Sequence, residues 1–351
     1  MGTDQVSGGA VSSYFTVDTL PMHERYGVWK ESIDVLFGVD ADKSIRDNNF
    51  TASIESHLLG SMMIMEVTSR EQNWERDNLQ IARNGMDHYG IGIFKEGDLF
   101  CDTAKGPTKL PKGGLVVFDL TQEFIAHTSD LKVMTFVVPR PLIEDMVNLP
   151  DDHSMRFLDP KNPMTRIVYD QMMSIHRNIA RIGQQQAQVI EKSFSMMVAT
   201  CLNDAVGGDR ETVQHRQKLL NLMKVRRYIR DQLASPDLTP RKVARDLGVS
   251  RSKLYDSFSA YGGVYQYIRE MRLRRAMSLL NDPMRHHSSI YDIALECGFA
   301  SDASFIRAFR ERYELTPGDV RNGVAALGQN PSASSEKIDN RYENWLHELA
   351  V

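Results

Sequence analysis

Only three cysteines occur in 351 residues, and Cys101, Cys201 and Cys297 stand about a hundred positions apart. They form no CxxC pair and no ligand cluster, which excludes a zinc ribbon, a dithiol redox motif and a disulfide framework and leaves a reduced, cytoplasmic setting as the expectation. Long apolar runs are missing too. No stretch approaches the ~20 residues of a membrane span, so no membrane partner is expected. The start, MGTDQVSGGAVSSYF, has neither the basic region nor the apolar run of a secretory signal. The chain also lacks the GxSxG elbow, the Walker P-loop and the GxGxxG fingerprint. GIGIF (Gly90–Phe94) sets two glycines in a strand context, with no helix behind them to cradle phosphate. His57, His88, His127 and His153 are scattered. A divalent ion needs three or four convergent ligands, such as a His-x-His pair with a later carboxylate and His. No metal, no cofactor and no enzymatic activity is therefore expected.

What remains is ordinary in bulk: 42% hydrophobic and 25% charged residues, the balance of a soluble globular protein long enough for two domains. The net charge of −4 conceals a division. Between Arg216 and Arg321 there are 20 Lys and Arg against 12 Asp and Glu, leaving 22 against 34 elsewhere. A basic C-terminal third on an acidic remainder suits a polyanion-binding module carried by a domain with another task.

Within that basic third a sentence is written twice. LTPRKVARDLGVSRSKLYDSF (238–258) is answered by SIYDIALECGFASDASFIRAF (289–309). Ala244 corresponds to Ala294, Gly248 to Gly298, Ser250 to Ser301, Leu254 to Phe305 and Phe258 to Phe309. Each copy reads as a helix, a Gly at a turn, a hydroxyl cap and a second helix, which is the grammar of a helix-turn-helix. In the first copy Thr239 caps a helix that begins with Pro240. Ser250 caps the next helix, Leu254 and Phe258 anchor it, and Arg251, Ser252, Lys253, Tyr255 and Asp256 are left facing outward. In the second copy Ser289 and Asp292 approximate a capping box. Ser301 caps a reading helix held by Phe305 and Phe309, exposing Asp302, Ala303, Ser304 and Arg307. A helix from about Val264 to Leu280 joins the copies. At 1.5 Å per residue it is about 25 Å long, which with its flanking turns suits two reading helices about one DNA turn, ~34 Å, apart. Arg269, Arg272, Arg274 and Arg275 on it are as well placed for salt bridges as for phosphate.

These residues resemble the DNA-binding domain of the AraC/XylS family of bacterial transcription regulators over 213–321. The match is most specific in IALECGFASDASFIRAFRERYELTPGDVR (Ile293–Arg321). Val320 departs from the family's usual aromatic there, with only a local packing change expected. The resemblance implies base-facing roles for Ser252, Tyr255 and Asp256 in the first unit and for Asp302, Ala303, Ser304 and Arg307 in the second. Arg307 is the leading candidate, because a guanidinium grips the O6/N7 edge of guanine bidentately. Phosphate contacts are expected from Arg251, Lys253 and Arg310, with the amides behind Ser250 and Ser301. Double-stranded DNA, RNA polymerase, a small-molecule effector and a second copy of the chain are the implied partners, and activation the implied mode.

The first half reads as β. Residues 1–13 are small and polar and predict an unstructured arm, followed by an amphipathic helix over Pro21–Phe37. From Phe50 to Val138, IESHLLGSMMIMEVTS, LQIARN, HYGIGIF, LFCDT, GLVVFDL and KVMTFVV predict short strands, with turns at Lys95–Asp98 and Pro111–Gly114. The fold class expected is α+β: a β-barrel or sandwich over 14–150, cupin-like by its resemblance to the ligand-binding or dimerising domains of the same family, a helical linker or dimerisation element over 151–206, the double helix-turn-helix over 213–321 and a flexible tail with a short amphipathic helix over 322–351. Apolar stripes lie on the helices about Pro163–Ile182 and Gln184–Asn203; stripes of this kind serve a core more often than a dimer contact. If the barrel holds an effector, Trp74, Arg83, His88 and Tyr89 are its candidate liners. The alternatives are a regulator controlled by a protein partner, a constitutive one and, least favoured, a DNA-tethered cupin-type enzyme.

Overall fold

Alternation along strands and caps on helices account for most of the architecture. The computed structural model describes residues 10–103, 106–148, 150–151, 153–206, 213–282, 285, 287–327 and 338–349. The elements up to the middle of the chain are β1 (Ser12–Thr16), α1 (Met22–Ile33), β2 (Gly38–Asp40), α2 (Lys43–Asp47), β3 (Ala52–Leu59), β4 (Met62–Ser69), β5 (Gln72–Arg76), α3 (Asn78–Asn84), β6 (His88–Glu96), β7 (Leu99–Thr103), β8 (Gly106–Lys109), β9 (Leu115–Asp119), β10 (Phe124–Thr128), β11 (Leu131–Pro139) and β12 (Arg156–Leu158). Helices follow: α4 (Pro163–Asn178), α5 (Gln184–Val206), α6 (Val213–Asp231), α7 (Pro240–Asp246), α8 (Arg251–Ser257), α9 (Val264–Asn281), α10 (Ile290–Glu296), α11 (Asp302–Tyr313), α12 (Pro317–Leu327) and α13 (Arg341–Glu348). None of the described helices is long and apolar enough to cross a membrane.

Two units form. The first takes the described residues up to Gln80, Met86–Val206 and the terminal α13; the second takes Ile81–Gly85 and the helices from α6 to α12. In the first, a seven-stranded sheet in the order β1-β3-β4-β11-β6-β9-β12 and a five-stranded sheet in the order β2-β5-β10-β7-β8 are antiparallel throughout. Because side chains alternate along a strand, each central strand of the large sheet serves two cores. Met63, Met65 and Val67 of β4 and Val133 and Val137 of β11 join Trp74, Leu99, Phe124 and Ala126 of the small sheet. Met62, Ile64, Tyr89, Ile91, Ile93, Met134, Phe136 and Val138 face the other way, onto α4 and α5. The apolar stripes of those helices, Val168, Met172, Ile175, Ile179 and Ile182 with Phe194 and Cys201, are buried in that second core.

Two expectations are corrected. LQIARN is not a strand but most of α3, because Asp77 Oδ1 accepts the Gln80 amide at 2.7 Å and the Gln80 side chain reaches back to the Asp77 amide at 3.3 Å, the reciprocal cap that opens a helix. Ser12 and Ser13 do not belong to an unstructured arm: they pair with His57 and Ser56 at the start of β1, while residues 1–9 lie outside the described residues. The helical end of the tail is docked. Tyr342, Trp345 and Leu346 of α13 are buried with Phe15 and Trp29, and Tyr342 Oη donates to the Ser32 carbonyl at 3.0 Å. The segment 328–337 lies outside the described residues. Beside Tyr342, burial pushes the Glu343 carboxyl up to about 7 against the opposing hydrogen bond from Ser32.

The second unit has two cores and one shared spine. Val264, Tyr267 and Ile268 of α9, with Met271 at the margin, pack among Ile229, Val243, Leu254 and Phe258. Leu273, Ala276, Met277 and Leu280 repeat that spacing nine residues later and pack among Ile293, Ala294, Phe305 and Phe309. Nine residues at 3.6 per turn is a rotation of about 180°, so the two helix-turn-helix units grip opposite faces of α9. Val320, where the expected aromatic is absent, is buried in the second core.

Candidate DNA interface and ligand cavity

The reading helices are positioned by short-range chemistry. Thr239 Oγ1 accepts the Lys242 amide at 3.2 Å, and Ser250 Oγ accepts the Lys253 amide at 3.3 Å. Ser289 Oγ accepts the Asp292 amide at 3.0 Å while Asp292 Oδ2 accepts the Ser289 amide at 3.2 Å, and Ser301 Oγ accepts the Ser304 amide at 3.2 Å. Each cap satisfies an amide that the first helical turn leaves unpaired. The hydrogen bond from Ser289 holds the Asp292 carboxyl below the usual carboxylate range. Gly248 and Gly298 take φ of 64° and 79° at the two turns, the left-handed region that favours glycine.

Leu254 and Phe258 under α8, and Phe305, Ala308 and Phe309 under α11, are buried. Ser252, Tyr255 and Asp256 on α8 are exposed, as are Asp302, Ala303, Ser304 and Arg307 on α11. Arg251, Lys253 and Arg310 are exposed as well; Ser250 is exposed and Ser301 half-buried. The cations sort into two groups. Arg269 pairs with Glu311, Arg274 and Arg312 with Glu270, and Arg275 and Arg285 with Glu296. Arg272 donates to the carbonyls of Leu233 and Ser235 at 3.2 and 2.7 Å. By contrast Arg251, Lys253, Arg307 and Arg310 form no ion pair with another described residue. The connecting helix is thus knitted by its arginines together with Arg312 at the end of α11, while Arg251, Lys253, Arg307 and Arg310 stay outside those ion pairs. Burial pushes the Cys297 thiol behind α11 up to about 12, which makes it an inert core residue.

The first unit contains an apolar cavity of about 80 Å³ between its sheets. Its wall includes Phe37, Met65, Trp74, Phe94, Phe118 and Phe124. Of the three expected liners whose side chains are described, only Trp74 is on it. His88 is fully buried elsewhere, where burial lowers its imidazole pKa against the adjacent Asp87 and Leu346 backbone. Tyr89 points to the opposite face of its strand, into the helix-covered core, and its hydroxyl meets the buried Arg140 at 2.6 Å. Arg140 in turn pairs with Asp87, Asp119 and Asp151, a closed network inside the fold. The side chain of Arg83 lies outside the described residues. Sequence reasoning passed over Val133, Thr135 and Val137 of β11 and Gly90 of β6, all on the cavity wall. Their signal was present: they are the alternate positions to Met134, Phe136, Val138 and Tyr89. Of the scattered histidines, His57 contacts Glu55 at 3.1 Å and His127 contacts Asn73 at 3.0 Å. No group of three or more His, Cys, Asp or Glu suited to a metal ion occurs among the described residues.

Comparison with known proteins places these features. Residues 243–323 match the profile of a helix-turn-helix domain family. Over 87 residues the chain is 38% identical to the HTH-type transcriptional regulator ArgR of Pseudomonas aeruginosa, a match covering 24% of this chain and 26% of that protein. Over 284 residues it is 20% identical to the transcriptional activator NphR of a Rhodococcus species, covering 80% of this chain and 83% of the relative. Among solved structures, the AraC-like transcriptional activator CuxR superposes with a TM-score of 0.52 at 22% identity, over 76% of this chain and 94% of that one. The likeness to CuxR is one of fold: a sheet-rich domain followed by a helical one.

Proposed function

The chain belongs to the AraC/XylS family of transcription regulators, and from that premise we propose a sequence-specific DNA-binding activator governed by a small molecule held in the first unit. The observation that carries the DNA half is the pair of capped helices presenting polar residues outward in matching register, with cations that form no ion pair among the described residues. In this reading Ser252, Tyr255 and Asp256 address one major-groove segment and Asp302, Ala303, Ser304 and Arg307 the next. Arg251, Lys253 and Arg310 meet phosphates. The hydroxyls of Ser250 and Ser301 are engaged as caps, so their residues contribute through the backbone amides that follow. The exposed carboxylates of Asp256 and Asp302 repel phosphate and accept from cytosine N4 or orient a neighbour.

The apolar cavity supports the control half. An effector acts only by binding one state more tightly than another, and a site lined by residues of both sheets senses how they pack. Ile167, Val189 and Met196, exposed on α4 and α5 at 49, 69 and 60%, are the surface on which a second copy would dock. Activation follows the names of NphR and CuxR, with RNA polymerase as the partner and the cytoplasm as the setting. Genome-wide mapping of bound sites is the test. The intact chain enriches discrete paired sites, and the double substitution Tyr255→Ala with Arg307→Ala loses them. Equal enrichment by both proteins, or none by the intact chain, refutes the DNA reading.

A further inference from the structure

We propose that the cavity of the first unit takes a compact, uncharged, largely apolar molecule, a single aromatic ring or short hydrocarbon chain with at most one weakly polar substituent. This rests on the reading of that unit as the effector domain.

The wall excludes charge. Every described residue lining it is apolar except Thr128 and Thr135. Trp74 Nε1 donates to Thr128 Oγ1 at 2.8 Å, and Thr128 Oγ1 in turn points to the Gln72 carbonyl at 3.5 Å, so this pair is already committed. Arg76, buried behind the wall, gives its N–H groups to the carbonyls of Leu120 and Leu36 at 2.7 and 2.5 Å; it is not a wall residue. A carboxylate or ammonium entering the cavity would lose its hydration and find no countercharge, a penalty that such groups avoid by staying in water. The one polar address left is the Thr135 hydroxyl, which makes no hydrogen bond to another described residue. A ligand with a single hydroxyl, carbonyl or nitrile would meet it there.

Size narrows the class further. The volume of about 80 Å³ is roughly half that of the ~150 Å³ apolar cavity that binds benzene. A one-ring ligand therefore needs the cavity to enlarge nearly twofold, and the flexible thioether of Met65 on the wall is the side chain that can move aside. Gly90 sets the limit on one side: a methyl group there would already stand 3.3 Å from Thr135 Cγ2 and 3.4 Å from the Phe118 ring. Fused-ring or long-chain molecules would have to part the sheets.

The test titrates the full-length protein with toluene, phenol and benzoate, following Trp fluorescence and the shift in Tm. Trp74 stands in the wall and reports occupancy. Toluene and phenol are expected to bind saturably, with benzoate at least about tenfold weaker, the discrimination expected of a site with no partner for a charge. Val137→Phe fills the cavity and should abolish toluene binding. If that variant fails to fold, Ala126→Leu fills it from the opposite sheet. Thr135→Val should weaken phenol by about fivefold, the worth of one hydrogen bond, and leave toluene unchanged. Benzoate binding as tightly as toluene, or toluene binding indifferent to the filling substitutions, would overturn the proposal. If benzoate alone binds and Val137→Phe blocks it, the ligand class is wrong and the effector site stands. If none of the three binds while operator affinity stays intact, the effector site itself falls, and the ligand class with it.

Discussion

In the first helix-turn-helix unit the reading helix α8 has seven residues and its cap is a single hydrogen bond, whereas in the second α11 has twelve. The second unit also carries the reciprocal Ser289–Asp292 cap and a row of tilted and edge-on ring contacts in which Phe299, Phe305, Phe309 and Tyr313 follow one another at centroid distances of 5.1, 5.5 and 4.8 Å. The turns differ most. A Cβ placed on Gly248 would meet open space, but on Gly298 it would stand 2.6 Å from the Leu233 carbonyl oxygen and 2.9 Å from Arg272 Nε. The same sequence grammar thus yields one turn set by conformation alone and one set by conformation and by close approach of backbone. The second unit is wedged into the domain, and the first is held mainly by its own small core.

The largest expected effect follows from that contrast. Gly298→Ala combines left-handed strain with a clash against backbone, and should cost about 3–5 kcal/mol. Gly248→Ala pays only the strain, about 1–2 kcal/mol. Denaturant titration of both variants measures the gap, and equal losses would show that the wedge contributes nothing.

Next in size is DNA affinity. The second unit offers an exposed arginine, Arg307, among the positions proposed to face bases, and the first offers none. Arg307→Ala should cost about 1–3 kcal/mol and relax preference at one base pair. Tyr255→Ala should weaken binding less. Gel shifts on a set of singly substituted operators distinguish the two, and a uniform loss across that set for Arg307→Ala would remove it from the base-reading role.

A smaller difference separates the caps. Ser289→Ala removes the hydroxyl that accepts the Asp292 amide at 3.0 Å and donates to Asp292 Oδ2 at 2.7 Å, leaving the backbone half of the capping box, and Ser250→Ala removes one hydrogen bond at 3.3 Å. Losses of up to about 2 kcal/mol and about 1 kcal/mol are expected, respectively. Thermal unfolding in matched buffers ranks them; the reverse order would mean that α8 depends more on its single cap bond than the equally long α10 does on its reciprocal cap.

The helical half was legible because its signals are local. Thr239, Ser250, Ser289 and Ser301 cap helices that begin one residue later, and the i, i+4 anchors lie one turn apart. The β half was legible only where strands alternate strongly. β5 and β10 went unnoticed: they carry Asn73, Glu75 and His127 between their buried residues, and they become strands by pairing with each other across some fifty positions. The cavity is less legible still, since Phe37, Met65, Phe94 and Val133 meet only after both sheets form. In α13 the stripe Tyr342–Trp345 was readable, but nothing near it in sequence names Phe15 and Trp29 as the surface it covers.

The two units should be least different in their phosphate contacts. Lys253 stands on α8 and Arg310 on α11, both exposed and outside the ion pairs that bind the connecting helix together. A phosphate contact carries no sequence information, so replacing either with Ala should weaken all operators by the same small factor. Each replacement should also reduce the slope of log affinity against log salt by about 1, because one fewer counterion is released. Comparable slopes for the two variants would mean that both reading helices approach the duplex to the same depth, despite the looser build of the first. If Arg310→Ala alters the slope and Lys253→Ala does not, the shorter helix does not engage the backbone, and the protein reads DNA chiefly through its second unit.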